Sequence, residues 1–355
     1  MLALGAAHGA AAQGGVLIQG VADLEAWKTD SASQLLARGG GKPAFLARAD
    51  IWGAYEPIRN VILFAEYRGE GGPAREEPAS LSELRQGGIR LSPSDAFTLQ
   101  LGKLPQVVGA FTSRSLSFRN PLISGPDGYS EHYPSGVRVD GSVGVVDYAA
   151  GLLSLALARE GYTPDPGNAL RPSAGVGITP MTGLRFGISA TVGPYLSDTF
   201  TVASLRGQDW KVYKQHVVAA DVRFSHGYFE GIAEVTRSSY DVPFQREAIR
   251  GLAWYIEPKY TFTPRFFTAL RVEQNDYPFI SAFAGPFWVS NGVTFNDVEV
   301  GAGFRPSASQ LLKLSVRMDH WLPNANPQAP HDNGYAVAVQ FSQQFDLVDL
   351  LSGKR

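Results

Sequence analysis

Residues 254 to 274 read Trp254-Tyr-Ile-Glu-Pro-Lys-Tyr-Thr-Phe262-Thr-Pro-Arg265-Phe-Phe-Thr-Ala-Leu270-Arg-Val-Glu-Gln274. Trp254, Ile256, Tyr260 and Phe262 alternate with Tyr255, Glu257, Lys259 and Thr261; past Thr263-Pro264-Arg265, Leu270 and Val272 alternate with Arg271 and Glu273. A period of two sends successive side chains to opposite faces of an extended chain, and the proline-containing break reverses its direction. The stretch predicts a β-hairpin with one apolar and one charged face.

Carried outward in both directions, the same reading predicts sixteen strands, near 15–27, 44–55, 60–68, 80–91, 95–103, 136–140, 144–158, 173–178, 184–193, 211–225, 228–237, 248–262, 266–275, 293–304, 310–321 and 334–346. Short turns such as Glu56-Pro57, Ser92-Pro93-Ser94, Gly141-Ser142, His226-Gly227 and Thr263-Pro264 alternate strictly with long polar loops around 28–43, 69–79, 104–135, 159–172, 194–210, 238–247, 276–292 and 322–333. In an up-and-down sheet every long loop then lies at one end. An even strand number with this asymmetry is how outer-membrane barrels are built. The expected fold is all-β, a single sixteen-stranded antiparallel transmembrane barrel over 13–346.

A soluble β-sandwich would alternate in the same way. Two features favour the barrel. Several strands reach about ten residues, against five or six in a common globular sheet. Aromatics gather near strand ends, at Trp27, Tyr55, Tyr148, Phe186, Phe224, Tyr228, Trp254, Phe262, Phe266 and Phe304, where a membrane interface would hold them.

Composition removes other classes. Across 355 residues there is no cysteine, and the formal charge is −2. A disulfide framework and a thiolate metal site are therefore excluded, and a general nucleic-acid binder is disfavoured. No apolar run approaches the roughly 20 residues of a spanning helix. Residues 1–12 end on Ala10-Ala-Ala12 and read as the remnant of a signal peptide cut after Ala12, with an ordinary flexible leader as the alternative. Residues 347–355 form a C-terminal tail.

On the charged face, opposite charges recur two residues apart: Arg48/Asp50, Glu66/Arg68, Glu83/Arg85, Arg138/Asp140, Asp221/Arg223, Glu257/Lys259, Arg271/Glu273 and Arg317/Asp319, with Asp297 and Glu299 on another strand. Such a face cannot meet lipid, where a buried lysine or arginine costs about 2–4 kcal/mol at the midplane. It is either the solvated exterior of a soluble sheet or the wall of a wet lumen. A barrel of this strand number is too wide for side chains to fill, which favours a channel.

The connection 104–135 is far longer than the usual four to six residues. It mixes Val107, Val108, Phe111, Leu116, Phe118, Leu122 and Ile123 with Arg114, Arg119, Asp127, Glu131 and His132, which suits a segment docked on a polar wall. It is expected to fold inward as a constriction loop, with Lys103, Arg114, Arg119, Asp127 and Glu131 at the narrowing. Arg114 and Arg119 either line the pore, where arginines favour anions, or anchor the loop on wall carboxylates such as Asp297 or Glu299.

The final strand, Tyr335-Ala-Val-Ala-Val339-Gln-Phe341-Ser-Gln-Gln-Phe345, ends on an aromatic of its apolar face. With the strand and loop pattern, this resembles the outer-membrane porins, whose terminal strand commonly finishes on phenylalanine; here Asp346 to Arg355 follow it. The resemblance implies a passive channel for small hydrophilic solutes and ions in a bacterial outer membrane, weakly anion-selective, with phosphate as one conceivable substrate. It also implies lipid contact and a homotrimer, for which Gly20, Ala22, Ala47, Ala49 and Gly53 on outward faces would permit close approach.

No enzyme is expected. The sequence has no G-x-S-x-G, H-E-x-x-H or Walker motif, and no metal or cofactor is predicted. His216 and His320 fall near strand ends on the outward face; a hydrolytic site at the outer rim around one of them is the enzymatic alternative. The other alternative is a binding or adhesion barrel gripping a ligand with Phe279, Phe283, Phe287 and Trp288 of its long loops.

Overall fold

The computed structural model describes residues 15–31, 38–75, 80–127, 133–154, 169–196, 205, 207–243, 246–281, 289–322 and 333–347, with backbone only over 277–281 and 289–293. The leader 1–12, the tail beyond 347, Glu131, His132 and the loop aromatics Phe279, Phe283, Phe287 and Trp288 lie outside the described residues or side chains.

The strands are β1 (Val16–Thr29), β2 (Ala44–Ile58), β3 (Val61–Gly71), β4 (Ser80–Ser94), β5 (Phe97–Lys103), β6 (Ser135–Val143), β7 (Val146–Leu153) and β8 (Arg171–Met181). They continue with β9 (Leu184–Pro194), β10 (Lys214–His226), β11 (Phe229–Tyr240), β12 (Ile249–Thr263), β13 (Phe266–Ser281), β14 (Val289–Phe304), β15 (Gln310–Trp321) and β16 (Gly334–Asp346). Each pairs antiparallel with its sequence neighbours, and β1 pairs with β16 from Gln19 opposite Asp346 to Thr29 opposite Ala336, closing the barrel. Closure leaves no edge with unpaired backbone groups, as a strand-built membrane protein requires.

Alternation within the strands decides which side is which. Leu24 (61% exposed), Phe45 (65%), Ile188 (53%) and Val300 (53%) stand outward, while their neighbours Asp23, Glu25, Leu46 and Glu299 are buried inside. Tyr55, Phe186, Phe224, Tyr228, Phe262, Phe266 and Phe304 form an exposed aromatic ring at the short-turn end. Trp27 departs from the expected girdle. It faces inward, donates to Glu25 through Nε1 (2.8 Å) and packs with Ala44, Leu46 and Ala336, because β1 turns its odd-numbered residues to the interior. His216 and His320 are exposed on the outward alternation, as expected.

Boundaries differ where pairing overrides composition. β13 and β14 remain in register out to Ser281 opposite Val289, so the expected loop 276–292 narrows to 282–288. The strand expected over 144–158 is described only to Leu153, and β10 begins after a short 3-10 turn at Trp210–Val212. Gly87-Gly88 blurs the alternation of β4 because the β3–β4 register shifts there: Glu66 faces Gln86 while Tyr67 faces Leu84. Arg85 is the extra residue of this bulge; it keeps the inward parity of Glu83, and Gln86 beside it also turns inward, to Glu66.

Candidate functional site

Side chains two apart on a strand are about 6.8 Å apart, whereas neighbouring strands lie about 4.8 Å apart. Interior charges therefore find partners across strands more readily than along them. Arg68 Nε donates to Asp50 Oδ1 (2.6 Å) on β2, and Arg85 reaches Asp50 (3.3 Å) and Glu66 (3.2 Å). Arg48 bonds Asp23 (2.9 Å) and Glu25 (3.1 Å) on β1 more closely than its own-strand Asp50 (3.8 Å). Lys259 pairs with Glu230 on β11 (2.7 Å). Of the expected pairs, Arg138–Asp140 (3.1 Å) and Arg223–Asp221 (3.3 Å) close within their strands. Glu83, half-buried, stands opposite Arg68 in register.

The second half of the wall carries a denser network. Arg271 on β13 bridges Glu257 (3.1 Å) on β12 and Glu299 (2.6 Å) on β14. Arg317 on β15 meets Asp297 (2.6 Å), Glu273 (3.3 Å) and Asp127 of the long connection. These three carboxylates converge closely enough to hold a metal ion, but the Arg317 guanidinium already occupies their common ground. Asp319 is buried on the same face.

Onto this wall the segment 104–127 is pinned through its backbone. Gly109 N donates to Ser189 Oγ (3.1 Å) on β9 and Ala110 N to Glu234 Oε1 (3.0 Å) on β11. The amides of Ile123 and Ser124 both reach Glu299 Oε1 (3.3 and 3.2 Å), and Asp127 N reaches Glu273 Oε2 (3.1 Å). Lys313 on β15 donates in the opposite sense, from Nζ to the carbonyls of Ser117 (3.0 Å), Asn120 (3.1 Å) and Leu122 (2.8 Å). Apolar contacts reinforce these bonds: Val108 packs on Val217 and Ala219, Ala110 on Ile232 and Tyr255, and Ile123 on Trp27 and Leu46. From the facing side, Arg85 reaches Ser115 Oγ (3.4 Å) and stacks 4.7 Å over the Tyr133 ring.

The loop cations take three different positions. Arg114 ends a short 3-10 turn, Phe111–Arg114, and bonds Glu257, so it anchors the loop, though on a carboxylate other than Asp297 or Glu299. Arg119 donates to Ser113 O (3.1 Å) and has no carboxylate at ion-pair distance among the described residues. Burial draws its pKa below the usual arginine value, while the nearby Glu66 and Tyr133 oppose that shift. Lys103 does not join the narrowing as expected. It ends β5 on the alternation of the exposed Leu101, and its ammonium bonds the Leu84 carbonyl on the preceding strand, β4.

Several interior groups escape a search for opposite charges two apart. Asp23 and Glu25 have that spacing but the same sign; Arg171, Arg185 and Asp147 are single charges on otherwise neutral faces, Arg185 pairing with Asp147 (2.7 Å), while Glu234 and Lys313 lie four residues from the nearest charge on their own faces, Glu230 and Arg317. A lone charge breaking an inward alternation is the signal that would have found them.

No protein-family model matches the chain, and no curated protein matches it in sequence. Solved structures do match. The anion-selective porin from Comamonas acidovorans aligns at TM-score 0.64 with 10% identity over 94% of this chain and 100% of that one. The fold is porin-like. The Salmonella typhi OmpF complex with daunomycin aligns at 0.62 with 12% identity over 93% and 97% of the two chains. Outer-membrane expressed OmpT of Vibrio cholerae aligns at 0.61 with 10% identity over 94% and 98%.

Proposed function

We propose that the chain is a bacterial outer-membrane porin, a passive channel for small hydrophilic solutes and ions in which 104–135 forms the constriction. The observation that carries this reading is the pairing of a closed barrel, apolar outside and charged inside, with a long connection bonded to interior side chains from β9 to β15. A wall whose charges cancel pairwise discriminates little over most of its width, because an ion beyond about 8–10 Å scarcely feels a charge in physiological salt. Selectivity then falls to the narrowest level, where Arg119 is the loop arginine without an acidic partner, and the pore leans toward anions.

Bilayer recordings of the purified protein in a KCl gradient test this. Stepwise conductance is expected, with a reversal potential on the anion side that moves toward cations in Arg119→Ala; phosphate in place of chloride shows whether that anion is favoured. Absence of discrete conductance steps would sink the channel reading. An unchanged reversal potential in Arg119→Ala would remove that residue from selectivity.

The same reading includes a homotrimer, since Gly20, Ala22, Ala47, Ala49 and Gly53 share the outward alternation of β1 and β2 and one of the similar solved structures is described as the trimer form of OmpT. Light scattering in mild detergent decides between trimer and monomer. It also includes removal of residues 1–12 on export, which N-terminal sequencing of membrane-extracted protein checks.

A further inference from the structure

The interior arginines are paired with acids almost throughout, yet a group of bases stands on the opposite surface of the sheet. Lys214 and His216 on β10, Arg237 on β11 and Arg250 on β12 are all exposed on the outward alternation. Register brings them together: His216 faces Ser239, Ser239 faces Arg250, and Val218, Arg237 and Leu252 lie in one row. With strands about 4.8 Å apart, the four bases fit within the footprint of one or two lipid headgroups.

None of the four has a carboxylate at ion-pair distance among the described residues. Two acids near the patch hydrogen-bond to neutral donors. Asp241 accepts from the backbone N of Lys214 (3.4 Å), and Asp276, outward on β13, accepts from Thr294 Oγ1 (3.2 Å).

Their height on the barrel gives the patch its meaning. Arg250 and His216 lie one and two residues from the long-loop ends of their strands, and Arg237 three residues below Tyr240. At about 3.3 Å per residue and a tilt near 40°, Arg237 sits only about 8 Å beneath the rim. Val218 and Leu252 flank Arg237 in its own row, and directly below come Val235, Trp254 and Ile256, the apolar band. Arginine on a lipid-facing strand is costly at the midplane and nearly free at the interface, so the bases occupy the headgroup level. The patch also lies five to eight strands around the closed barrel from β1 and β2, whose small residues suit contact with a second copy. It is therefore free to face lipid.

We propose that the long-loop rim of β10–β12 is a binding surface for phosphorylated lipid headgroups of the leaflet on that side, with Lys214, Arg237 and Arg250 pairing the phosphate oxygens and His216 adding a hydrogen bond. This rests on the reading of the chain as a membrane barrel. The occupant is a lipid and not a soluble anion, because the cations stand on the outer surface immediately above apolar side chains that acyl chains would cover.

Trp254 is a reporter within this face, its Nε1 donating to Gln274 (3.1 Å). The full chain is reconstituted in vesicles of phosphatidylcholine containing brominated phosphatidic acid or brominated phosphatidylcholine. Quenching at Trp254 is taken as the difference between each protein and the same protein carrying Trp254→Phe. The wild type should prefer phosphatidic acid severalfold, and Arg237→Gln should lower that preference about fivefold, the share of one basic residue near a charged headgroup. Lys214→Gln/Arg237→Gln/Arg250→Gln should abolish it while leaving single-channel conductance as in the wild type. No preference in the wild type, or the wild-type preference persisting in Arg237→Gln, overturns the proposal. Loss of the preference on adding inorganic phosphate at fixed ionic strength would also overturn it, by making the patch a soluble-anion site. Conductance of the wild type in the same vesicles reports on the channel reading separately from the lipid result.

Discussion

Lys313→Met removes the ammonium from a fully buried position (1% exposed) while keeping an unbranched stem of similar length. Its three bonds, at 3.0, 3.1 and 2.8 Å, all go to loop carbonyls within six residues of one another. A bond from a charged donor contributes about 1.5–3 kcal/mol net. The three share one ammonium and one desolvation cost, so their sum is not three times that value; about 3 kcal/mol of loop docking is a fair figure. At about 1.4 kcal/mol per factor of ten, the detached loop becomes more populated by about a hundredfold. The barrel itself should persist, because the bonds lost are to the loop and the β14–β15 and β15–β16 ladders are backbone. Single-channel recording should show a larger mean conductance and added open-channel noise, with an unchanged heat-modifiable band on gels. Conductance and noise identical to the wild type, in a protein with that band intact, would refute the view that Lys313 holds the loop.

Arg114→Ala should resemble Lys313→Met more than Arg119→Ala: losing the Glu257 contact loosens the loop, so open-channel noise rises while the reversal potential moves little. At Gly301 a Cβ would come within 2.7 Å of Leu122 Cδ2 and 3.1 Å of the Leu314 carbonyl, so Gly301→Val should displace the loop at a cost of about 1–3 kcal/mol, read as easier proteolysis between residues 115 and 127. Arg317→Met leaves Asp127, Glu273 and Asp297 facing one another, which should lower thermal stability by about 3–5 kcal/mol. Millimolar calcium should restore much of that loss in the variant and leave the wild type unmoved; thermal melts with and without calcium check both.

The barrel was legible because its signals repeat. A membrane-spanning strand must alternate over its whole length, and the hairpin from Trp254 to Gln274 is typical of the chain. Ends were harder. β13 and β14 extend beyond their composition because each keeps pairing with the other, and the bulge in β4 turns Gln86 inward beside Arg85, where alternation from Glu83 places Arg85 alone. Trp27 was misread as an interfacial aromatic because position along a strand does not reveal which face it occupies until the register is fixed; its parity with Asp23 and Glu25 places it inside.

The loop was legible as an outlier in length, but its docking could not be read from its own side chains. Most of its bonds to the wall use its backbone: amides reach Glu234, Glu273 and Glu299, and carbonyls reach Lys313. Those contacts leave almost any residue permissible on the loop side while fixing charge, length and position on the wall. The informative sequence lay in isolated charges on inward faces. Glu234 and Lys313 belong to no opposite-charge pair two residues apart, because each serves a segment that arrives from more than a hundred residues away. It follows that loop substitutions such as those at Ser117 or Ser124 should be tolerated better than neutral replacements at Glu299 or Lys313, which leave several backbone groups without partners at once.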